Sequence, residues 1–138
     1  MYTVTLTRPP DLLARRVRLT TDPASAGEAR GHVRAAICAW RIPVDVDTAL
    51  LLTSELVTNA IRAAAGGRVT LAIRCARGRL RVEVHDPSPD PPVPAAAPAD
   101  AEAGRGLVLI DALSADWGFY RTPAGKVVYF TLAFQPEP

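Results

Sequence analysis

The sequence predicts an α+β fold, a two-layer sandwich in which about three helices pack on one face of a mostly antiparallel (mixed) sheet. Helical and strand patterns come in blocks rather than in strict βαβ alternation. Two pairs of strand patterns are each joined by a short turn, which is typical of hairpins. The chain has 138 residues, 49% of them hydrophobic and 22% charged, so we expect a single domain over residues 1–138 with its own core.

The N-terminal part predicts two short strands and a helix. Residues 3–6 and 15–19 alternate polar and apolar side chains, as strands do. A helix follows, because Thr21 or Asp22 can cap it, Pro23 suits its first turn, and apolar side chains then recur at helical spacing.

A second helix opens at Pro43 and Asp45, runs to about Ala64 and stops at the glycine pair 66–67. Within it, Glu55 and Asn59 lie four residues apart and therefore share one face. We expect Leu52 and Arg62 near that face, and the core on a different stripe formed by Val46, Leu50, Val57, Ala60 and Ala64. Asn is a poor residue for the middle of a helix, so its position there suggests a function.

Two strands, 68–76 and 79–86, form the first predicted hairpin, with its turn at Arg77 and Gly78. In the second strand the period of two places Asp86 on the apolar side that faces the helices. A carboxylate in that position needs a hydrogen-bonding partner.

The segment 87–104 is rich in Pro, Ala and Asp and has no period, which predicts a long functional or disordered loop. "GRGL", from Gly104 to Leu107, joins this loop to a short third helix that extends to residue 115. Two glycines at a helix N-terminus let backbone N–H groups approach an anion. Strands 116–122 and 126–134 then form a second hairpin.

Charge and composition argue against several classes of protein. The net charge is +2 and the basic residues are scattered, so we expect no nucleic-acid partner. No apolar run approaches the roughly 20 residues of a membrane span, and the N-terminus lacks the pattern of a signal peptide. We therefore expect a cytoplasmic protein that does not bind a membrane.

The order of these motifs resembles that of the GHKL (Bergerat) ATP-binding family over residues 15–134. "SELVTNAIRAA" is similar to the family's N box, "VEVHDPSP" stands where its G1 box lies, and "GRGLVLIDALSADWG" is similar to its G2 box. The sequence looks closest to anti-sigma-factor serine/threonine kinases and to stand-alone actinobacterial HATPase-type regulatory proteins.

This resemblance implies a site for ATP and Mg²⁺ and a role for individual residues. Glu55 would be the general base, and Asn59 would hold the Mg²⁺ that bridges the ATP phosphates. Asp86 would accept a hydrogen bond from the amino group of adenine, and residues 87–103 would form the ATP lid. The remaining nucleotide-binding positions would be Arg62, Gly104, Arg105, Gly106 and Leu107, with Arg105 facing a phosphate or acidic groups of a partner.

The function implied by the resemblance is transfer of the γ-phosphoryl group of ATP to a protein antagonist. The protein partners would be a sigma factor, which the chain sequesters, and a STAS-type anti-sigma antagonist. An apolar outer side of the last strand, at Val127, Tyr129 and Ala133, permits a homodimer.

Three alternatives stay open. In "DPSPD" no glycine follows Asp86, which favours a non-catalytic, nucleotide-gated protein-binding module of the same fold. A detached catalytic domain of a histidine kinase is disfavoured, because we expect no helical dimerisation segment with a phosphoacceptor His before the domain. A structural α+β domain without a ligand is the third alternative.

Overall fold

The computed structural model describes residues 13–92 and 101–135, except the side chains of residues 101–105. Its elements in chain order are β1 (Leu13–Leu19), α1 (Ser25–Trp40), α2 (Val46–Ala64), β2 (Val69–Ala76), β3 (Arg79–Asp86), α3 (Ala101–Leu113), β4 (Asp116–Thr122) and β5 (Gly125–Ala133). The strand predicted at residues 3–6 lies outside the described residues.

The five strands form one sheet in the order β1-β2-β3-β5-β4, and every neighbouring pair is antiparallel. Helix α2 is central in the helical layer, where it packs against α1, α3 and β3. The α+β prediction is therefore confirmed. Leu52, expected near the face of Glu55, is instead fully buried in the core. Among the described helices, none has the length and apolar character needed to cross a bilayer.

Helix boundaries follow the expected local chemistry at α2. The Asp45 side chain accepts a hydrogen bond from the backbone N–H of Thr48 at 3.2 Å, and the helix ends where Ala65 turns left-handed. The third helix corrects the prediction. It begins at Ala101, so Gly104 lies inside the helix and not at its N-terminus, and the last residues of the predicted 87–103 loop are helical.

The outer face of the sheet, opposite the helices, carries polar side chains, some of which pack over their neighbours. Arg81 lies over the ring of Tyr129, 3.8 Å from its centroid, and Val127 is only 1% exposed. The apolar outer surface predicted on the last strand is therefore wrong at these two positions. Glu83, also on this face, is buried among cationic groups and pairs with Arg81 at 2.7 Å.

The Glu83 cluster predicts a loss of stability in acid. The hydrogen bond with His85, followed by the guanidinium groups of Arg81 and Arg74, lowers the pKa of Glu83 from 4.5 to about 2. A lowered carboxyl pKa stabilises the fold above pH 4.5, and this stabilisation is lost as the pH falls toward 2. It amounts to about 3 kcal/mol. Urea unfolding from pH 6 to pH 2 measures it, and Glu83→Gln is the control: an unchanged pH slope in that variant would contradict the assignment.

Candidate nucleotide site

A cavity of about 320 Å³ lies between the C-terminal half of α2 and the adjoining ends of β3 and β5. Its wall on the helix side belongs to α2, its floor to the two strands, and its rim to the segment after β3. The lining residues are Asn59, Ala60, Arg62, Ala63, Asp86, Ser88, Asp90, Pro91, Pro92, Lys126 and Val128. The fold thus brings three sequence-predicted residues together, namely Asn59, Arg62 and Asp86.

Asp86 is the last residue of β3 and points toward the helices, as its strand period predicts. Its Oδ1 accepts hydrogen bonds from the backbone N–H of Ser88 at 2.8 Å and from Lys126 Nζ at 3.1 Å. Its Oδ2 is buried and has no partner among the described residues. A buried carboxylate oxygen without a donor costs free energy, so Oδ2 can still accept a hydrogen bond from a ligand or a water.

Asn59 supplies the second unpaired group. Its Nδ2 is buried without a hydrogen-bond partner among the residues that the structure describes. The amide lies on the same cavity wall as Arg62, whose side chain is exposed at the rim. Two unsatisfied polar side chains in one cavity fit the presence of a bound polar molecule or of ordered water.

Glu55 lies one turn before Asn59 and next to helix α3. A Cβ atom placed on Gly106 would lie 2.7 Å from Glu55 Oε2, so only glycine permits this approach of the two helices with Glu55 in its present position. Glu55 is half-buried and is not part of the cavity wall. The structure therefore joins Glu55 to the predicted glycine-rich motif through direct contact.

The other residues of the glycine-rich motif have different positions in α3. Leu107 is 5% exposed and belongs to the hydrophobic core, so it supports α3 and does not line the cavity. Gly104 and Arg105 are helical, but the side chain of Arg105 lies outside the described part of the chain. Their contact with a nucleotide stays a prediction.

The segment that directly follows Asp86 has no glycine of its own, and glycines on facing segments pack closely against it. Pro87 follows Asp86 directly, and a Cβ on Gly67 would lie 2.8 Å from Pro87 Cγ. A Cβ on Gly125 would lie 2.0 Å from the Asp86 carbonyl oxygen and 2.6 Å from Pro87 Cα. The chain at Asp86 and Pro87 is therefore closely packed on both sides. Its position depends on glycine at residues 67 and 125.

Lys126 is the residue that sequence reasoning missed. It is 3% exposed, pairs in register with Asp86, and its Nζ also lies 3.4 Å from the carbonyl oxygen of Ser88. The strand period could have predicted its inward position. Val128, Phe130 and Leu132 alternate toward the core, and Lys126 continues that series.

The residues present suit Mg²⁺ only when a ligand supplies further oxygens. Among the described residues no group of three or more His, Cys, Asp and Glu side chains could hold a metal by itself. Mg²⁺ keeps several waters and is commonly bound by one or two protein groups together with substrate phosphates. The amide oxygen of Asn59, as a single protein ligand beside substrate phosphates, fits that pattern.

A second cavity, of about 480 Å³, lies on the outer face of the sheet and is lined by Arg74, Ala76, Arg79, Arg81, Ala115, Asp116 and Thr131. Its arginines attract anions. Unlike the inner cavity, none of its described lining residues has a buried side-chain polar atom left without a partner. The inner cavity is therefore the better candidate for a specific ligand.

Comparison with known proteins agrees with this fold. A family model described as a histidine kinase-like ATPase domain matches residues 19–132, which span every described element from the end of β1 to the penultimate residue of β5. No curated protein matches the chain.

Proposed function

Since the chain belongs to the histidine kinase-like ATPase domain family, we propose that it is an ATP-binding regulatory protein of the anti-sigma-factor serine/threonine kinase type. One observation carries the ATP-binding part of this proposal. The cavity presents a buried acceptor, Asp86 Oδ2, and a buried donor, Asn59 Nδ2, neither of which has a partner within the described structure.

In this proposal three residues of the cavity, Asp86, Asn59 and Arg62, each bind a different part of the nucleotide. Asp86 would accept a hydrogen bond from the exocyclic amino group of adenine, and Asn59 would hold Mg²⁺ through its amide oxygen. Arg62 lies at the rim, where its positive charge favours phosphate. Gly104, Arg105, Gly106 and Leu107 form the phosphate-side anchor, where Leu107 acts by fixing α3, and residues 87–103 act as the lid.

The proposed reaction is transfer of the γ-phosphoryl group to a Ser or Thr hydroxyl of a protein antagonist. Mg²⁺, when bound, neutralises charge on the phosphates. Glu55 accepts the proton of the attacking hydroxyl as the oxygen–phosphorus bond forms, and ADP leaves. The contact between Glu55 and Gly106 supports this role, because it sets the carboxylate beside the helix that carries the phosphate-side motif.

The proposed partners are a sigma factor and a STAS-type antagonist in the cytoplasm, and the sigma factor is sequestered in a nucleotide-dependent way. A homodimer stays a prediction. Arg74 and Arg81 face each other on neighbouring strands of the outer sheet face, and a dimer contact centred on them would bring like charges together. We therefore place the dimer contact away from these arginines.

A second candidate is a nucleotide-gated protein-binding module that transfers nothing. Two features favour it: no glycine follows Asp86 in "DPSPD", and Asp86 accepts a hydrogen bond from Lys126. Both restrict motion at the base-binding end. The two candidates share nucleotide binding and differ only in phosphoryl transfer.

Asn59→Ala is expected to weaken Mg²⁺-dependent ATP binding by about tenfold or more, because the ion loses its protein oxygen. Titration calorimetry with ATP, in Mg²⁺ and in EDTA, measures this change. Asp47→Ala, in the first turn of the same helix, is the control and should bind as the wild type does. Equal affinity of the Asn59→Ala variant and the wild type in Mg²⁺ would remove Asn59 from the proposed site.

A further inference from the structure

Lys126 is the only lysine of the chain, and it is buried in the wall of the inner cavity. Every other basic side chain is arginine or histidine. Burying an ammonium group is costly, and a buried ion pair is often no more stable than apolar residues of similar volume. The next inward residue of β5, Val128, shows that apolar side chains fit this wall. Stability alone therefore does not account for Lys126.

The hydrogen bonds that Asp86 accepts inside the protein limit how many more it can accept from a ligand. Oδ1 already receives Lys126 Nζ at 3.1 Å and the N–H of Ser88 at 2.8 Å. Within the described part of the chain, Oδ2 has no hydrogen-bond partner. The carboxylate therefore offers a ligand one acceptor atom and not two.

The ammonium group of Lys126 can also donate a further hydrogen bond. It carries three N–H donors and no acceptor. Two donors are directed to Asp86 Oδ1 and to the carbonyl oxygen of Ser88, at 3.1 Å and 3.4 Å. The third is left for the cavity that Lys126 lines.

We propose that Lys126 is a second base-selecting residue, which makes the site read two neighbouring atoms of adenine. This inference rests on the proposed binding of ATP. Asp86 Oδ2 accepts from the exocyclic amino group, and Lys126 donates to the adjacent ring nitrogen N1, which is an acceptor. Guanine presents a carbonyl oxygen and an N–H at the same two places. An acceptor would then face Asp86 Oδ2 and a donor would face Lys126, so neither hydrogen bond could form. Its two neighbouring N–H donors also cannot bind both carboxylate oxygens, because Lys126 and Ser88 occupy Oδ1.

The test compares three nucleotides on the wild-type protein by titration calorimetry in Mg²⁺: ATP, 1-deaza-ATP and GTP. In 1-deaza-ATP a C–H group replaces N1, so only the contact with Lys126 is lost. A hydrogen bond from a charged donor corresponds to about a tenfold to hundredfold change in affinity. We expect 1-deaza-ATP to bind at least tenfold more weakly than ATP, and GTP more weakly still.

Lys126→Met provides the variant arm. We expect it to bind ATP more weakly and to bind ATP and 1-deaza-ATP with equal affinity, because the donor to N1 is gone. Arg79→Met is the matched control, since Arg79 is an exposed cation of β3 that does not line the cavity. It should keep the wild-type preference for ATP. If Lys126→Met does not fold, as judged by circular dichroism, the wild-type comparison decides the question.

The outcomes separate this inference from the proposed function. Equal binding of ATP and 1-deaza-ATP by the wild type would overturn the role of Lys126 while leaving ATP binding intact. GTP bound as tightly as ATP would overturn base selection by the pair. Absence of binding by ATP itself would overturn both the inference and the proposed function.

Discussion

Glu55→Gln is expected to lower phosphoryl transfer by roughly 10²–10⁴-fold and to leave Mg-ATP affinity within about twofold of the wild type. Gln keeps the size of the side chain but cannot accept the proton of the attacking hydroxyl. The measurement is transfer of label from γ-labelled ATP to the antagonist that co-purifies with the tagged chain. Titration calorimetry of the same preparations gives the affinity.

Gly106→Ala is the companion variant for Glu55. The added Cβ meets the end of a flexible side chain, Oε2 of Glu55 at 2.7 Å, so the fold can adapt by moving the carboxylate. Transfer should fall while the thermal midpoint changes little. Transfer that is unchanged in Glu55→Gln would contradict the general-base role. A wild type that binds Mg-ATP but labels no antagonist would favour the nucleotide-gated module.

Gly125→Ala is expected to destabilise the domain by at least about 4 kcal/mol, because the new Cβ has no space. It would lie 2.0 Å from the carbonyl oxygen of Asp86 and 2.6 Å from Pro87 Cα, both of them backbone atoms that cannot turn away. The residue also has a φ of 150°, which side chains rarely adopt. Urea unfolding followed by circular dichroism measures the loss.

Gly31→Ala is the matched control for that experiment. Gly31 lies inside α1, and a Cβ there meets nothing within 4 Å. Removing a glycine from the middle of a helix should raise stability by about 0.5–1 kcal/mol. If Gly125→Ala unfolds at the same urea concentration as the wild type, the close packing of β5 against the Asp86–Pro87 corner is wrong.

Local patterns predicted the parts of the fold that depend on neighbouring residues. The period of two placed Asp86 on the inner face, and capping chemistry placed the start of α2 at Asp45. The turn at Arg77 and Gly78 followed from residue type, and both residues have positive φ. In each case the determining contacts lie within a few residues along the chain.

Features that depend on distant parts of the chain were not predictable in this way. Lys126 was missed because its partner Asp86 is 40 residues away and meets it only when β5 inserts between β3 and β4. The start of α3 was placed too late, because the glycines at 104 and 106 suggest a loop while the helix continues through them. Gly106 fits there because α3 packs on Glu55, a contact that no local pattern contains.

The central claim is that Mg-ATP binds in the inner cavity between α2, β3 and β5. Amide chemical-shift mapping by NMR during titration of the wild type with Mg-ATP tests it most directly. We expect saturating shifts at Asn59, Asp86, Ser88 and Lys126, with little change at Arg74 and Arg79 on the outer face. Shifts confined to the arginine-lined outer cavity, with none around Asp86, would contradict the claim.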